Sequence, residues 1–167
     1  MIINRQYYLD KLIARKGNKR VKVITGIRRC GKSVLLFDLY LDLYRDYLRK
    51  EGIKDEQVIS LKLDKISHAR YRNPFELDKY VREQIKDSDK QYYVFLDEIQ
   101  EVSSMPNPWL DDKEQTIGFV EVLLGLMDID NVDVYVTGSN SKMLSSDIIT
   151  EFRDRGDEIH VNPLMYS

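Results

Sequence analysis

The sequence predicts an α/β domain, with a parallel sheet packed between helices on both faces. Three observations carry this. Short β-branched or apolar runs at 21–25, 58–63, 91–96, 132–137 and 158–161 alternate with segments of helical periodicity, the pattern of parallel strands joined by right-handed crossovers. The run Gln91-Tyr92-Tyr93-Val94-Phe95-Leu96 is almost continuously apolar, as expected of a strand buried on both faces. The chain has 167 residues, enough for one real core and too few for two comfortable ones.

The elements follow in order. Leu9, Leu12 and Ile13, with Tyr8 beside them, recur at helical spacing over 6–15, and Gly17-Asn18 is a stop. The strand 21–25 runs into a glycine-bounded loop, and a long helix is expected from Lys32 to about Lys50. Its inner face is read as Leu35, Leu36, Leu39, Tyr40, Leu43 and Tyr47, with Asp38, Asp42, Arg45, Asp46 and Arg49 outward; Gly52 ends it. After the strand 58–63, residues 64–73 read as polar and irregular. Asn73 is an N-cap with Pro74 at the first helical position, opening a helix to about Lys86. Residues 101–116 hold two prolines and many polar side chains and read as a long, mobile loop. Within it, Trp109 is expected to pack back onto the domain. A helix starting at Gln115 or Thr116 turns Phe119, Val122, Leu123, Leu126 and Met127 inward. The strand 132–137 breaks at Gly138-Ser139-Asn140, a helix is expected around 145–152, and the last strand follows. No repeat or low-complexity segment interrupts the pattern.

Composition excludes some functions. Apolar residues make up 43% and charged residues 32%, ordinary values for a globular domain. With 26 basic and 28 acidic residues the net charge is −2, so there is no global attraction to nucleic acid or anionic membranes. The single cysteine, Cys30, rules out an intramolecular disulfide and fits a reducing compartment. It is read as a small side chain that fits its loop rather than a redox sensor. The N-terminus reaches Asn4-Arg5 too soon for a signal peptide, and no apolar run approaches the roughly 20 residues of a membrane span. A cytoplasmic location is expected. The final residues, Asn162 to Ser167, read as a connection, so residues 1–167 are expected to be one domain of a longer protein. His68 and His160 are isolated, without the ligand spacing of a zinc site.

The chemistry lies at strand ends. Gly26-Ile27-Arg28-Arg29-Cys30-Gly31-Lys32-Ser33, entered from a strand and leading through Val34 into a helix, has the phosphate-binding P-loop spacing (Walker A) in its required context. Gly26 and Gly31 let backbone N–H groups approach an anion. The helix N-terminus adds its positive dipole end. Lys32 supplies a cation for the outer phosphates and Ser33 a hydroxyl for magnesium. Asp97, closing an apolar strand, is the matching Walker B carboxylate for that metal. Glu98 is placed to take a proton from an attacking water. Asn140, or Thr137 and Ser139, could donate to the water or the γ-phosphate, though Gly-Ser-Asn is also ordinary turn chemistry. Arg153 and Arg155 sit in a charge run that reads either as a solvated surface or as the source of an arginine finger for a neighbouring subunit.

The segments VKVITGIRRCGKS, VFLDEIQ, VTGSNS and Pro163-Leu164 resemble a family of bacterial and archaeal ATPases of the AAA+ superfamily. Its members carry an N-terminal AAA-type core and a C-terminal domain of unknown function. The resemblance covers almost the whole chain. It implies a P-loop NTPase fold, a three-layer αβα sandwich with a five-stranded parallel sheet of order 5-1-4-3-2. It also implies ATP and Mg2+ as ligands, a sensor role for Asn140 and a nucleotide-responsive role for Arg155. It places the Arg5-Gln6-Tyr7-Tyr8-Leu9 segment, Tyr8 included, beside the adenine. This chain departs from the family by reading Asp154-Arg155 where Gly-Arg is usual. A lid and a second domain would lie beyond Ser167.

The leading expectation is therefore magnesium-dependent ATP hydrolysis coupled to an unknown output in the C-terminal half. The alternative is a nucleotide-responsive switch or scaffold with little turnover, favoured by the long segment beside the active edge. A small-molecule kinase ranks third, because no acceptor site or basic lid is visible. The expected partners are nucleotide, an unknown protein or the protein's own C-terminal domain, and a further copy of the chain.

Overall fold

In the computed structural model the described residues are 10, 13, 16, 21–26, 41–42, 44–139 and 156–161, with backbone alone for 22–26, 139 and 156–161. The strands are β1 (Val21–Gly26), β2 (Val58–Lys62), β3 (Tyr92–Asp97), β4 (Met105–Pro106), β5 (Thr116–Ile117), β6 (Val132–Ser139) and β7 (Gly156–Val161). Five of them form one sheet in the order β2-β3-β6-β1-β7, and every neighbouring pair is parallel. All strands therefore point their carboxyl ends to the same edge. There Gly26 of β1 stands beside Ser139 of β6, and Asp97 of β3 beside Lys62 of β2.

Side-chain alternation divides the core between two faces. On one, Tyr92, Val94 and Leu96 of β3 and Val132, Val134 and Val136 of β6 pack with Leu77 and Val81 of the helix Pro74–Gln84 and with Val122, Leu123 and Leu126 of the helix Phe119–Met127. On the other, Tyr93, Phe95 and Tyr135 pack with Leu41, Tyr44 and Leu48 of the helical residues 41–42 and 44–50. Every residue of β3 is buried, as its apolar run predicts.

Local chemistry explains the boundaries. The Asn73 side chain accepts from the N–H groups of Phe75 at 2.9 Å and Glu76 at 3.4 Å, so the predicted cap and proline start hold. Gly52 has φ 89, and Ile53 N–H reaches back to Leu48 O at 2.9 Å. This is the left-handed glycine ending the sequence predicts.

Several expectations are corrected or extended. Among the described residues of the helical segment, Leu41, Tyr44 and Leu48 are buried in addition to the expected stripe, of which Tyr47 packs partly buried against them and Leu35, Leu36, Leu39, Tyr40 and Leu43 lie outside the described residues. Residues 66–72 form a 3-10 helix rather than irregular chain. The segment 101–116 is not an unstructured loop: β4 and β5 pair antiparallel, Met105 with Ile117 and Pro106 with Thr116. Thr116 consequently lies in a strand, and the next helix starts at Phe119. The strand 132–137 continues to Ser139, held by parallel pairing of Gly138 with Thr25 and Ser139 with Gly26. Among the described residues no helix is long and apolar enough to cross a membrane.

Candidate functional site

The described part of the site lies at the carboxyl ends of β3 and β6. Backbone pairing between these strands reaches Leu96 and Val136; the next residues, Asp97 and Thr137, meet through their side chains. The Thr137 hydroxyl donates to Asp97 Oδ1 and accepts from the Glu98 backbone N–H at 3.1 Å. All three residues are buried. Alternation puts Tyr93, Phe95 and Asp97 on one face, together with Asp133, Tyr135 and Thr137. That face is covered by the helical residues 44–50, which lie downstream of the glycine-bounded loop in the chain.

Glu98 has φ 57 and ψ 53, a left-handed backbone uncommon for a side-chain-bearing residue. It turns the chain out of the sheet into the 3-10 turn Ile99–Glu101. The Gln100 amide donates to Glu98 Oε2, so the neighbour two residues on orients the glutamate.

Burial pushes the Asp97 carboxyl up to about 6, the Thr137 hydrogen bond pulls the other way, and the charges of Glu98 and Asp64 add to the rise, with Lys62 opposing it. Burial, more than any neighbouring charge, thus sets the carboxylate apart from an ordinary exposed one. Among the described residues no group of three or more His, Cys, Asp or Glu side chains could hold a metal ion. A site made of one carboxylate, one hydroxyl and the phosphates of a ligand suits magnesium, which keeps several waters and needs few protein ligands.

Of the predicted site residues, Asp97 and Glu98 are brought together, and Gly26 is placed by its backbone at the same sheet edge beside Ser139. Ile27, Arg28, Arg29, Cys30, Gly31, Lys32, Ser33, Val34, Tyr8, Asn140, Arg153 and Arg155 lie outside the described residues, as does the helix expected around 145–152. Thr137 turns toward the two acidic residues. His68 has a structural role, its Nδ1 accepting from Lys62 N–H at 3.0 Å. Trp109 does not pack back as expected: it is 80% exposed and meets Phe75 edge-on at 6.0 Å between ring centroids. The sequence reading did not single out Gln100, or Asp133, a buried acid in an otherwise apolar strand. The period of two along β6, which puts Asp133 on the face of Thr137, was the available signal.

Residues 18–167 match the family model described as AAA domain. The chain belongs to the AAA domain family. Two curated relatives, an uncharacterized protein of Haemophilus influenzae and another of Methanocaldococcus jannaschii, are each 32% identical over 165 residues, 99% of this chain. The chain spans only 36% and 30% of their respective lengths. Among solved structures it resembles a chain of Drosophila ORC bound to DNA, with TM-score 0.51 and 10% identity over 97% of this chain and 91% of that one. It also resembles Saccharomyces cerevisiae RIF2, with TM-score 0.53 and 13% identity over 96% and 56%. At such identities these two likenesses speak for the fold alone. The AAA domain is an AAA+ P-loop ATPase-like domain with a parallel α/β sheet, of a type that in general binds and hydrolyses nucleotide.

Proposed function

We propose that residues 1–167 form the AAA-type core of a magnesium-dependent ATPase, with the sheet order 5-1-4-3-2 that strand pairing supports. The observation that carries this reading is the convergence on one sheet edge of Gly26, which opens the phosphate loop, with the buried pair Asp97 and Glu98. In this reading backbone N–H groups of 26–33 and Lys32 bind the phosphates of ATP. Ser33 and Asp97 hold magnesium, which when bound offsets phosphate charge. Glu98 takes the proton of the attacking water. Asn140 serves as the sensor of the γ-phosphate, Arg155 responds to nucleotide, Tyr8 flanks the base, and the output belongs to the C-terminal part of the full-length protein. Single-turnover hydrolysis by the full-length protein tests these roles. Lys32→Ala should weaken ATP binding at least about tenfold, because it removes a charge-assisted phosphate contact. Glu98→Gln should keep binding and lose about 10²- to 10⁴-fold in rate, the usual weight of a general base. Wild-type rates in both variants would refute the assignment.

The exposed Trp109, on the segment joining β4 to β5 shortly after Glu98, favours a second reading, a nucleotide-responsive switch that scaffolds a partner. Partner binding and Trp109 emission that do not differ between ADP and a non-hydrolysable triphosphate would discard it.

A further inference from the structure

We infer that Thr137 is the positioning residue of this site: its one hydroxyl fixes the metal-binding carboxylate and the backbone of the general base together. The inference rests on the ATPase reading above and deepens it. A hydroxyl has one proton and two lone pairs. Here the proton goes to Asp97 Oδ1, and a lone pair receives the Glu98 N–H at 3.1 Å. Thr137 is 9% exposed and Asp97 and Glu98 are 3% and 4% exposed, so water has little room to substitute for it. The bond falls where backbone pairing between β3 and β6 stops at Leu96 and Val136, and where the chain enters its left-handed turn at Glu98. Thr137 thus continues the ladder by one side-chain step. It locks the residue that must coordinate, and it anchors the turn that aims the residue that must accept a proton. Its hydroxyl is therefore occupied by Asp97 and Glu98 and does not act on the γ-phosphate. Outer partners of metal ligands fix ligand orientation in this way.

The test compares wild type with Thr137→Val, which keeps the shape and loses the hydroxyl, and Thr137→Ser, which keeps the hydroxyl. Three quantities are measured on the full-length protein: affinity for a fluorescent ATP analogue in EDTA, Mn2+ affinity by paramagnetic resonance with a non-hydrolysable triphosphate, and single-turnover rate. Thr137→Val should keep the affinity in EDTA, while Mn2+ affinity and rate each fall about 10- to 100-fold, the usual cost of losing an outer-shell partner. Thr137→Ser should restore both. Thr137→Ala supplies a second hydroxyl-free variant if the valine protein does not fold. Unchanged Mn2+ affinity and rate in the hydroxyl-free variants would overturn the inference, as would a serine variant that fails as badly as they do. A wild-type protein that binds no nucleotide, or that Lys32→Ala leaves unaffected, would overturn the ATPase reading itself and the inference with it.

Discussion

Tyr135 ties the middle of the sheet to the helical residues 44–50 through one buried hydroxyl. It donates to Asp133 Oδ2 at 3.1 Å and lies 2.5 Å from the Tyr44 hydroxyl. Because the Tyr135 proton is committed to Asp133, Tyr44 must donate to Tyr135. The two phenols are therefore not equivalent, although both are fully buried. Tyr135→Phe takes a donor from a buried carboxylate and leaves the Tyr44 hydroxyl without its acceptor, which should cost about 2–3 kcal/mol. Tyr44→Phe removes only the incoming donor and should cost about 1 kcal/mol. Urea midpoints of the two variants check the order, and a Tyr44→Phe loss equal to or larger than that of Tyr135→Phe would contradict it. Glu98 illustrates the opposite economy: its left-handed backbone, φ 57, costs on the order of 1 kcal/mol or more wherever it is held. Such a residue persists where its surroundings over-determine it. Here the Thr137 hydroxyl, and the Glu101 N–H reaching Glu98 O at 3.0 Å, do so.

The hairpin of β4 and β5 shows where sequence patterning loses its grip. Strands of two residues are too short for a period of two to be read, and Pro106 argues against a strand on its own. Its own pairing continues one rung further, Asn107 N–H donating to Gln115 O at 3.0 Å, and tertiary contacts anchor its base: Ser103 N–H donates to Arg72 O at 2.8 Å and Val102 is buried. By contrast, the start of the helix Pro74–Gln84 and the glycine that ends 44–50 were legible, because cap and stop depend on one or two local residues. The same division runs through the site. Asp97 and Glu98 could be picked out because they end an apolar run, whereas the Thr137 bridge joins residues 40 apart in the chain. Gln100 was hidden for a related reason, since its contact with Glu98 exists only because the chain turns left-handed there. The hairpin also carries the only tryptophan of the protein, Trp109, 80% exposed. If the hairpin reports on nucleotide, its emission should shift or be quenched when ADP is replaced by a non-hydrolysable triphosphate in the full-length protein. Identical spectra would separate the hairpin from the phosphate site and leave hydrolysis as the surviving reading.

The two faces of the sheet differ in chemistry, and the difference predicts how the protein fails at high pH. On one face the buried residues are aliphatic apart from Tyr92, with Tyr71, Tyr80 and Phe119 partly buried against them. The other gathers Tyr44, Tyr93, Phe95 and Tyr135, with Phe95 stacked on Tyr135 at 4.7 Å and Tyr44 edge-on to Tyr93, Phe95 and Tyr135. Burial raises the phenols of Tyr44 and Tyr135 well above their ordinary value and pushes Tyr93 up to about 12, with the charge of Asp133 adding to the rise in each. In the unfolded chain a tyrosine titrates near 10. A phenol whose folded pKa lies above its unfolded value contributes stability that is fully present below about 10. That stability declines as pH rises toward the folded value, since the unfolded chain releases the proton first. Three such groups act together, so stability should fall by up to about 4 kcal/mol per pH unit between roughly 10 and 12, at about 1.4 kcal/mol per group. The buried tyrosines should therefore ionise only as the protein unfolds, with tyrosinate absorption from this cluster rising in step with loss of far-ultraviolet circular dichroism. Tyr93→Phe removes one group and should make the fall in stability with pH shallower by about a third. Ionisation of all the tyrosines near 10 with the dichroism intact would mean that this face is open to water, and the packing that sets Asp97 and Thr137 beside it would have to be redrawn.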